Sequence, residues 1–467
     1  MVTFYESVEK IKRSNLVVIL SADSKELPLK LDKKILEKIE KWCEENKSFF
    51  YQFFLWEKNI ETLYVTRYVP EKTKDIYEFL AENVVKIPKD ITLFSVSKTL
   101  LRDILHTTLL ARYKFQNYKS EKKKDTIQIV CDKKDRSIFE DQILTIENIF
   151  LARDLGETPT HDLTPEKFAK LIKKTPLKNT KVTIIWPEKV EKLWLGLLKA
   201  VGWGSYHKPH LVIMERMVSK KAPTIGFVWK WVVFDTGGLN IKMPSPIGWM
   251  EIMKFDMAGA ATVFAVMKEL DRKKIHVNIV AALPLAENSV WAEAMRPSDI
   301  LTAYNGKTVQ VLNTDAEWRL ILADAVAYLS KNYTIDRFIT VATLTWLCVM
   351  TFGHRYAAIM GDDQEMLELL KKYSQEHFEK YWELPFDPFF IEKTKSSIAD
   401  YDNHSPGVLA WTIMWGAFIY NFRTKEEKFT HIDIASVAGS NTSFWLYPKG
   451  VTWFWVESLS AILEKLS

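Results

Sequence analysis

The sequence predicts an α/β fold: an N-terminal α/β domain, a linker helix, and a larger C-terminal α/β domain with a mixed central sheet covered by helices. Short apolar runs alternate with amphipathic segments along the chain. The later runs are apolar almost throughout, which is typical of strands that helices cover on both faces. A chain of 467 residues also exceeds one ordinary domain. We therefore expect domains at 1–137 and 161–467, joined by a linker helix at 138–160.

The N-terminal domain is predicted from its alternating strands and helices. Strand-like runs occupy 16–20, 62–69 and 126–131, and helix-like segments occupy 35–45 and 99–115. These segments contain no recognisable catalytic motif, so the chemistry is expected in the second domain.

The linker and the second domain continue the alternation. A helix is expected over 138–155, and Thr164, Pro165 and Glu166 indicate the start of another, since Thr caps helices and Pro favours their first position. Further helices are predicted over 190–202, 258–270 and 319–329. Further strands are predicted over 181–186, 210–215, 225–235, 277–288 and 338–345.

Composition favours a soluble cytoplasmic protein. The chain has 47% hydrophobic and 26% charged residues, and a net charge of +5 that does not indicate nucleic-acid binding. Its three cysteines, Cys43, Cys131 and Cys348, form no CxxC pair, which excludes a disulfide framework and fits a reducing compartment. The first residues are too charged for a signal peptide, and no uncharged apolar run reaches the ~18 residues of a membrane span.

Two segments, 225–262 and 313–320, concentrate charged residues in apolar and glycine-rich surroundings. Four of their carboxylates and three of their cationic side chains form the candidate set: Asp235, Asp256, Asp315, Glu317, Lys230, Lys242 and Arg319. Each residue alone would be typical of a surface ion pair. Charged side chains are rarely buried unless they are paired or bind a metal. The carboxylates would repel one another unless a cation lay among them, so together they predict a metal site.

These segments resemble the cytosol leucyl aminopeptidases, a family of di-metal exopeptidases. NTDAEWR at 313–319 is similar to the family signature NTDAEGR, and FDTGGLNIK with KFDMAGAA is similar to its FD[ST]GG…K…DM.GAA segment. The resemblance continues through 152–169, 287–300, 343–349, 431–435 and 448–456. It implies a catalytic second domain and a linker between the two domains.

The resemblance also implies the roles of the charged residues. Asp235 and Glu317 would bridge two divalent ions, Mn²⁺ or Zn²⁺. Asp315 would complete one metal site, and Lys230, as a neutral amine, would complete the other together with Asp256. Carboxylate oxygens suit these ions.

Two cationic residues are expected to be catalytic. Lys242 would polarise the scissile carbonyl, and Arg319 would hold a bicarbonate ion that acts as general base. The first side chain of the substrate would contact a set of four family-matching positions: Met253, Asn313, Ala316 and Thr343. His161, His354 and His431 are interpreted as structural.

Two functions remain open. The resemblance implies a metal-dependent aminopeptidase that releases apolar, leucine-like N-terminal residues from peptides and assembles as a homohexamer. The alternative is a non-catalytic hexameric scaffold or DNA-binding protein on the same fold. The intact set of polar residues favours the enzyme, because a site without activity has no use for buried charges.

Several glycines of the family motifs are tryptophans in this chain: Trp229, Trp231, Trp291, Trp318, Trp346, Trp411, Trp453 and Trp455. The chain contains 17 Trp and only 16 Gly, where about 7% Gly is usual. One substitution repeated inside otherwise intact motifs suggests that the gene uses UGA for glycine. Trp42, Trp56 and Trp382 lie where the motifs require no glycine, so they are expected to be true tryptophans.

Overall fold

The computed structural model confirms the α/β class. It describes residues 2–6, 14–20, 37, 41, 51–57, 60–67, 90–95, 97–122, 126–243, 250, 253, 258–343, 346–405, 407–440, 442–443, 446–452 and 454–466. The chain divides into two compact units, Met1–Glu147 with Thr442–Lys449, and Asn148–Asn441 with Gly450–Ser467. The domain limits expected at 137 and 160 remain predictions.

The first unit is built on a sheet in which six strands are described, in the order β1-β6-β5-β2-β4-β3. Only the β3–β4 pair is antiparallel among these described strands. The strands are β1 Val2–Tyr5, β2 Ser14–Leu20, β3 Tyr51–Glu57, β4 Ile60–Arg67, β5 Ile91–Phe94 and β6 Ile127–Val130, and helix α1 spans Lys98–Ala111. The three predicted strands and the helix expected over 99–115 are confirmed. The helix expected over 35–45 lies almost wholly outside the described residues.

The second unit contains a mixed sheet in which nine strands are described, in the order β16-β15-β18-β14-β9-β11-β8-β7, with β10 paired to β11. Its strands are β7 Lys181–Ile185, β8 His210–Arg216, β9 Thr224–Trp229, β10 Trp231–Asp235, β11 Asn278–Asn288, β14 Arg337–Ala342, β15 Ala357–Gly361, β16 Tyr381–Glu383 and β18 Lys428–Asp433. Short strands outside this sheet are β12 Ile300–Thr302, β13 Thr308–Gln310, β17 Tyr401–Asp402, β19 Gly439–Ser440 and β20 Gly450–Val451.

Helices accompany both units. Helix α2, Arg136–Glu157, runs from the first unit into the second and confirms the helix expected over 138–155. The others are α3 Pro165–Lys174, α4 Pro187–Lys192, α5 Gly196–Trp203, α6 Ala258–Arg272, α7 Trp318–Asn332, α8 Trp346–Phe352, α9 Gln364–Glu376, α10 Pro388–Glu392, α11 Trp411–Tyr420 and α12 Val456–Lys465. Within the described part of the chain, every helix is too short or too polar to cross a membrane.

Two predicted elements are interrupted. The single helix expected over 190–202 was wrong, because Trp194 adopts a left-handed backbone conformation (φ 57°) between α4 and α5. The single strand expected over 225–235 was also wrong. β9 pairs with both β11 and β14, whereas β10 pairs with β11, and Lys230 lies at the break between them.

The indoles of Trp229 and Trp231 pack tightly against helices. Trp229 stacks on Trp455 with ring centroids 5.8 Å apart, and a Cβ on Gly259 would approach its indole to 2.6 Å. The Trp231 ring lies 3.5 Å from that of Phe168 at a tilt of 33°. Aromatic pairs ordinarily separate their centroids by about 4.5–7 Å. The Trp231 contact is therefore compressed.

These buried indoles also carry polar groups that the surroundings do not satisfy. The Nε1–H groups of Trp229, Trp231 and Trp455 have no hydrogen-bond partner among the described residues. A buried donor without an acceptor costs about 1–3 kcal/mol. The three positions thus combine crowding with unsatisfied polarity.

Trp455 and Trp194 share a backbone conformation that favours glycine, with φ of 74° and 57°. A Cβ crowds the backbone in this left-handed region, and glycine has none. At position 455 the turn is held by the main chain, because the Glu379 carboxylate accepts hydrogen bonds from the N–H groups of Trp455 and Ser458 at the start of α12. The indole N–H of Trp455 makes no hydrogen bond to that turn among the described residues.

The remaining tryptophans of the motifs have varied surroundings. Trp318, Trp346 and Trp411 begin α7, α8 and α11, and Trp291 is 74% exposed in a turn. Trp453 lies outside the described residues. Trp382, where no motif glycine is expected, is 57% exposed on β16.

Candidate metal centre and active site

Three predicted metal ligands come together in the second unit. Asp235 ends β10, and Asp315 and Glu317 lie in the segment that leads into α7. Asp235 and Glu317 are buried, and Asp315 is partly exposed. One carboxylate oxygen from each lies within 4.8 Å of the others. This acidic cluster offers carboxylate oxygens, a ligand type that divalent cations bind.

The turn after β10 fixes the orientation of Asp235. Its Oδ1 accepts hydrogen bonds from Gly237 N at 2.9 Å and from Asn288 Nδ2 at 2.8 Å. Gly237 has a φ of 86°, and a Cβ there would approach Asp315 Oδ1 to 2.9 Å. The glycine therefore allows the two carboxylates to approach each other.

Lys242 lies between two of these carboxylates. Its Nζ is 2.9 Å from Asp235 Oδ2 and 2.5 Å from Asp315 Oδ1. Its side chain is 15% exposed, so these ion pairs are largely shielded from water. The ammonium group is thus directed into the acidic cluster by two charged partners.

Lys230 approaches the cluster from the break between β9 and β10. The residue is 2% exposed, and its Nζ lies 3.8 Å from Glu317 Oε1 and 3.5 Å from the Thr343 carbonyl oxygen. The neighbouring indoles of Trp229 and Trp231 pack instead against α6 and α3.

Arg319 is buried in the first turn of α7. Its guanidinium carbon lies 4.5 Å from the Trp318 ring and 4.2 Å from the Trp415 ring, and Nη1 donates to the Asn403 carbonyl at 2.5 Å. Nε and Nη2 have no hydrogen-bond partner among the described residues. Burial lowers the pKa of Arg319 well below its ordinary value, while Glu317 and Asp315 oppose that shift. These two buried donors, on a cationic side chain, are suited to bind an anion.

Three of the predicted substrate-binding residues form hydrogen bonds with the cluster or with residues beside it. Asn313 Oδ1 accepts from Asp315 N at 2.8 Å, the buried Ala316 presents its carbonyl to Asn403 Nδ2 at 3.2 Å, and Thr343 accepts from Lys230. Met253 is half-buried. The fifth predicted metal ligand, Asp256, lies outside the described residues.

The three histidines have contacts outside the acidic cluster. His161 lies beside Asp162 at the surface, and His354 Nδ1 is 2.8 Å from the Ser436 carbonyl. His431 is buried against Thr340, and burial lowers its pKa to about 3. These contacts agree with structural roles.

Sequence reasoning missed two asparagines that orient site residues. Asn288 donates to Asp235 Oδ1 and to the Thr314 carbonyl. Asn403 bonds both to the segment carrying Asp315 and to Arg319. Asn288 lies within the family-like stretch 287–300, whereas nothing local in the sequence distinguishes Asn403.

Comparison with known sequences agrees with this geometry. Residues 150–460 match the cytosol aminopeptidase family, catalytic domain. The chain is 37% identical over 368 residues to "Probable cytosol aminopeptidase 1" of Shewanella oneidensis, which covers 78% of this chain and 72% of that protein. It is 35% identical over 393 residues to "Probable cytosol aminopeptidase" of Rickettsia canadensis, with 82% and 77% covered.

Solved structures share the fold over nearly the full length. The bottromycin maturation enzyme BotP in complex with Mn has a TM-score of 0.83 and 25% identity, covering 97% of this chain and 99% of its own. The cytosol aminopeptidase of Coxiella burnetii has a TM-score of 0.82 at 23% identity, covering 99% of each chain, and is similar in fold. The family match extends over most of the sequence and contains the whole acidic cluster. This chain is therefore a peptidase that belongs to the cytosol aminopeptidase family.

Proposed function

We propose that this chain is a two-metal aminopeptidase that releases apolar, leucine-like residues from the N-termini of peptides. The observation that carries the proposal is the acidic cluster of Asp235, Asp315 and Glu317, whose oxygens converge within 4.8 Å. Three carboxylates at this separation, two of them buried, repel one another and favour a positive partner. The donor set therefore fits divalent cations such as Mn²⁺ or Zn²⁺.

The ligands divide into shared and separate residues. Asp235 and Glu317 would bridge two ions, Asp315 would complete one site, and Lys230 with Asp256 would complete the other. Bound ions of this kind would supply Lewis acidity and a water molecule activated for attack at neutral pH.

Lys242 is suited to stabilise charge on the substrate. Its ammonium group would donate a hydrogen bond to the carbonyl oxygen of the scissile peptide as negative charge develops there. Its contacts with Asp235 and Asp315 support this role, because they place its Nζ beside the residues that would hold the metal ions.

Arg319 would hold a bicarbonate ion, which would supply the general base. The fit rests on Nε and Nη2, two buried donors that have no partner among the described residues. The Asn403 carbonyl and the Trp415 ring fix the guanidinium plane, so both donors face a defined direction. Arg presents paired donors to planar oxyanions more effectively than Lys does.

Substrate choice and assembly are also part of the proposal. Met253, Asn313, Ala316 and Thr343 would contact the first side chain of the peptide, and the apolar members favour a leucine-like residue. The resemblance further supports a cytoplasmic homohexamer. Measuring the mass of the purified assembly in solution tests the oligomeric state.

Chelation is expected to abolish leucyl-amide hydrolysis, and Mn²⁺ or Zn²⁺ should restore it. The physical reason is that the acidic cluster cannot activate water without its cations. Turnover should be measured before chelation, after it and after metal is returned, on the chain with glycine restored at the motif tryptophans. Mg²⁺-free buffer without chelator serves as the control. Activity that survives exhaustive chelation would contradict the two-metal proposal, and metal binding without any turnover would favour the scaffold alternative.

A further inference from the structure

Asn403 is a buried residue that contacts both the segment carrying Asp315 and the guanidinium of Arg319. We propose that Asn403 is a positioning residue for this peptidase: it fixes both the segment that carries Asp315 and Glu317 and the guanidinium of Arg319. The inference deepens the proposed function and rests on it. Asn403 is fully buried and follows β17 directly.

The side-chain amide forms four hydrogen bonds with one segment of backbone. Its Oδ1 accepts from the N–H groups of Leu312 at 2.8 Å and Asn313 at 3.2 Å. Its Nδ2 donates to the carbonyl oxygens of Asn313 at 2.6 Å and Ala316 at 3.2 Å. One amide thus uses both its acceptor and its two donor hydrogens on residues 312–316. That segment contains Asp315 and leads directly into Glu317.

The main chain of Asn403 makes the second connection. Its carbonyl oxygen accepts from Arg319 Nη1 at 2.5 Å, and its N–H donates to the Gln310 carbonyl at 3.0 Å. The bond to Gln310 ties Asn403 to β13, which precedes the same segment. Movement of Asn403 would therefore displace the carboxylates and the guanidinium together.

An amide is required because the segment presents donors and acceptors at once. Residues 312–316 lie outside the regular strands and helices, so sheet and helix ladders do not hold them. An apolar residue would leave buried backbone groups unsatisfied, at about 1–3 kcal/mol each. A carboxylate would keep the acceptor but place its second oxygen against the carbonyls of Asn313 and Ala316. Only an amide of this length satisfies both kinds of partner.

Asn278 is a matched control for Asn403, because it is also a buried asparagine that holds a backbone segment. It lies at the first position of β11, and Asn288 lies at the last. Asn278 is 2% exposed, and its Oδ1 accepts from Val218 N at 2.7 Å and Ser219 N at 3.2 Å. Its Nδ2 donates to the carbonyls of Ser219 at 2.8 Å and Ala222 at 3.0 Å. Asn278 therefore makes the same four kinds of bond to a segment that carries none of the proposed site residues.

The test compares Asn403→Ala and Asn403→Asp with Asn278→Ala in the full chain, using whichever version, tryptophan or glycine, melts at the higher temperature. Melting temperature, Mn²⁺ affinity by titration calorimetry, and kcat and KM for a leucyl amide are measured for each. Both alanine variants should lose similar stability. The Asn403 variants alone should lose about 10–100-fold in Mn²⁺ affinity or turnover, the usual cost of removing a residue that orients metal ligands. The turnover loss should fall on kcat more than on KM.

Each outcome decides the matter. If Asn403→Ala does not fold, the similarly sized Asn403→Asp carries the same comparison. Mn²⁺ affinity and kcat in both Asn403 variants within about twofold of Asn278→Ala would overturn the inference while leaving the proposed function intact. A parent chain that binds neither Mn²⁺ nor Zn²⁺ would overturn the proposed function and this inference with it.

Discussion

Glycine at positions 194, 229, 231, 318 and 455 is expected to raise the melting temperature of the chain and to increase leucyl-amide turnover. Left-handed backbone at Trp455 and Trp194 costs about 1–3 kcal/mol at each residue that carries a Cβ. The buried indole N–H groups at 229, 231 and 455 add about 1–3 kcal/mol each. The free energy of unfolding of a whole domain is only about 5–15 kcal/mol, so removing these costs should raise it by a large fraction.

The direction of the change in melting temperature distinguishes two origins for these tryptophans. If tryptophan is native at 229 and 231, replacing it with glycine empties a packed site and destabilises the chain by about 3–5 kcal/mol or more. If UGA encodes glycine in the source organism, the same change restores the intended packing against Phe168 and Gly259 and stabilises the chain. The two origins therefore predict opposite shifts in melting temperature.

Turnover should follow stability, because Trp229 and Trp231 flank Lys230, and Trp318 lies between Glu317 and Arg319. Displacing a catalytic group by even ~1 Å can cost about 100-fold in rate. Thermal melts, metal content and leucyl-amide turnover should be compared for the tryptophan and glycine versions.

The exposed Trp382 supplies the control, since Trp382→Gly should produce no gain. Two further measurements bear on the origin directly. The gene should carry UGA at these positions and UGG at 382, and peptides from the native protein should have the mass of glycine at 229, 231 and 455. UGG codons at 229, 318 and 346 would exclude recoding.

Lys242→Ala is expected to lower kcat by about 10²–10³-fold, the usual cost of removing one donor that stabilises a developing oxyanion. Metal content should stay near the two ions per chain of the proposed site. The ion pairs of Lys242 with Asp235 and Asp315 give the reason. Without the ammonium group, the carboxylates keep their mutual repulsion, and divalent ions relieve it at least as well.

Lys170→Ala is a suitable control for this measurement. Lys170 pairs with Glu166 on the surface of α3, and both side chains are 51% exposed. Exposed pairs of this kind contribute about 0–1 kcal/mol, so turnover and metal content should both stay unchanged. Loss of metal in Lys242→Ala would make Lys242 a ligand and contradict its proposed role as electrophile.

Much of the fold follows from local pattern. The strands at 16–20 and 277–288 and the helix beginning near 319 were predictable, because apolar periodicity and turn residues act over short stretches of chain. The acidic cluster was also predictable in part. Asp235, Asp315 and Glu317 stand in continuous motifs, and their charge amid apolar sequence required a common partner.

The interruptions were not predictable from the same pattern. Trp194 lies within a helix-like apolar run, yet its left-handed conformation separates α4 from α5. The break at Lys230 is likewise a matter of sheet pairing. On one side of it, β9 pairs with both β11 and β14, and on the other side β10 pairs with β11. Sheet pairing of this kind joins distant segments, so a single stretch of sequence does not contain it.

By itself, the sequence determined the α/β class, the order of most elements and the grouping of Asp235, Asp315 and Glu317, because these depend on periodicity and on motifs read within short windows. Only the tertiary structure decided how the site is held. Asn403 lies 90 residues from Asn313 and 84 from Arg319, and Asn288 lies 53 from Asp235. Residues this far apart along the chain become hydrogen-bond partners only after the sheet and helices have brought them together. Composition and motif spacing therefore do not predict these contacts.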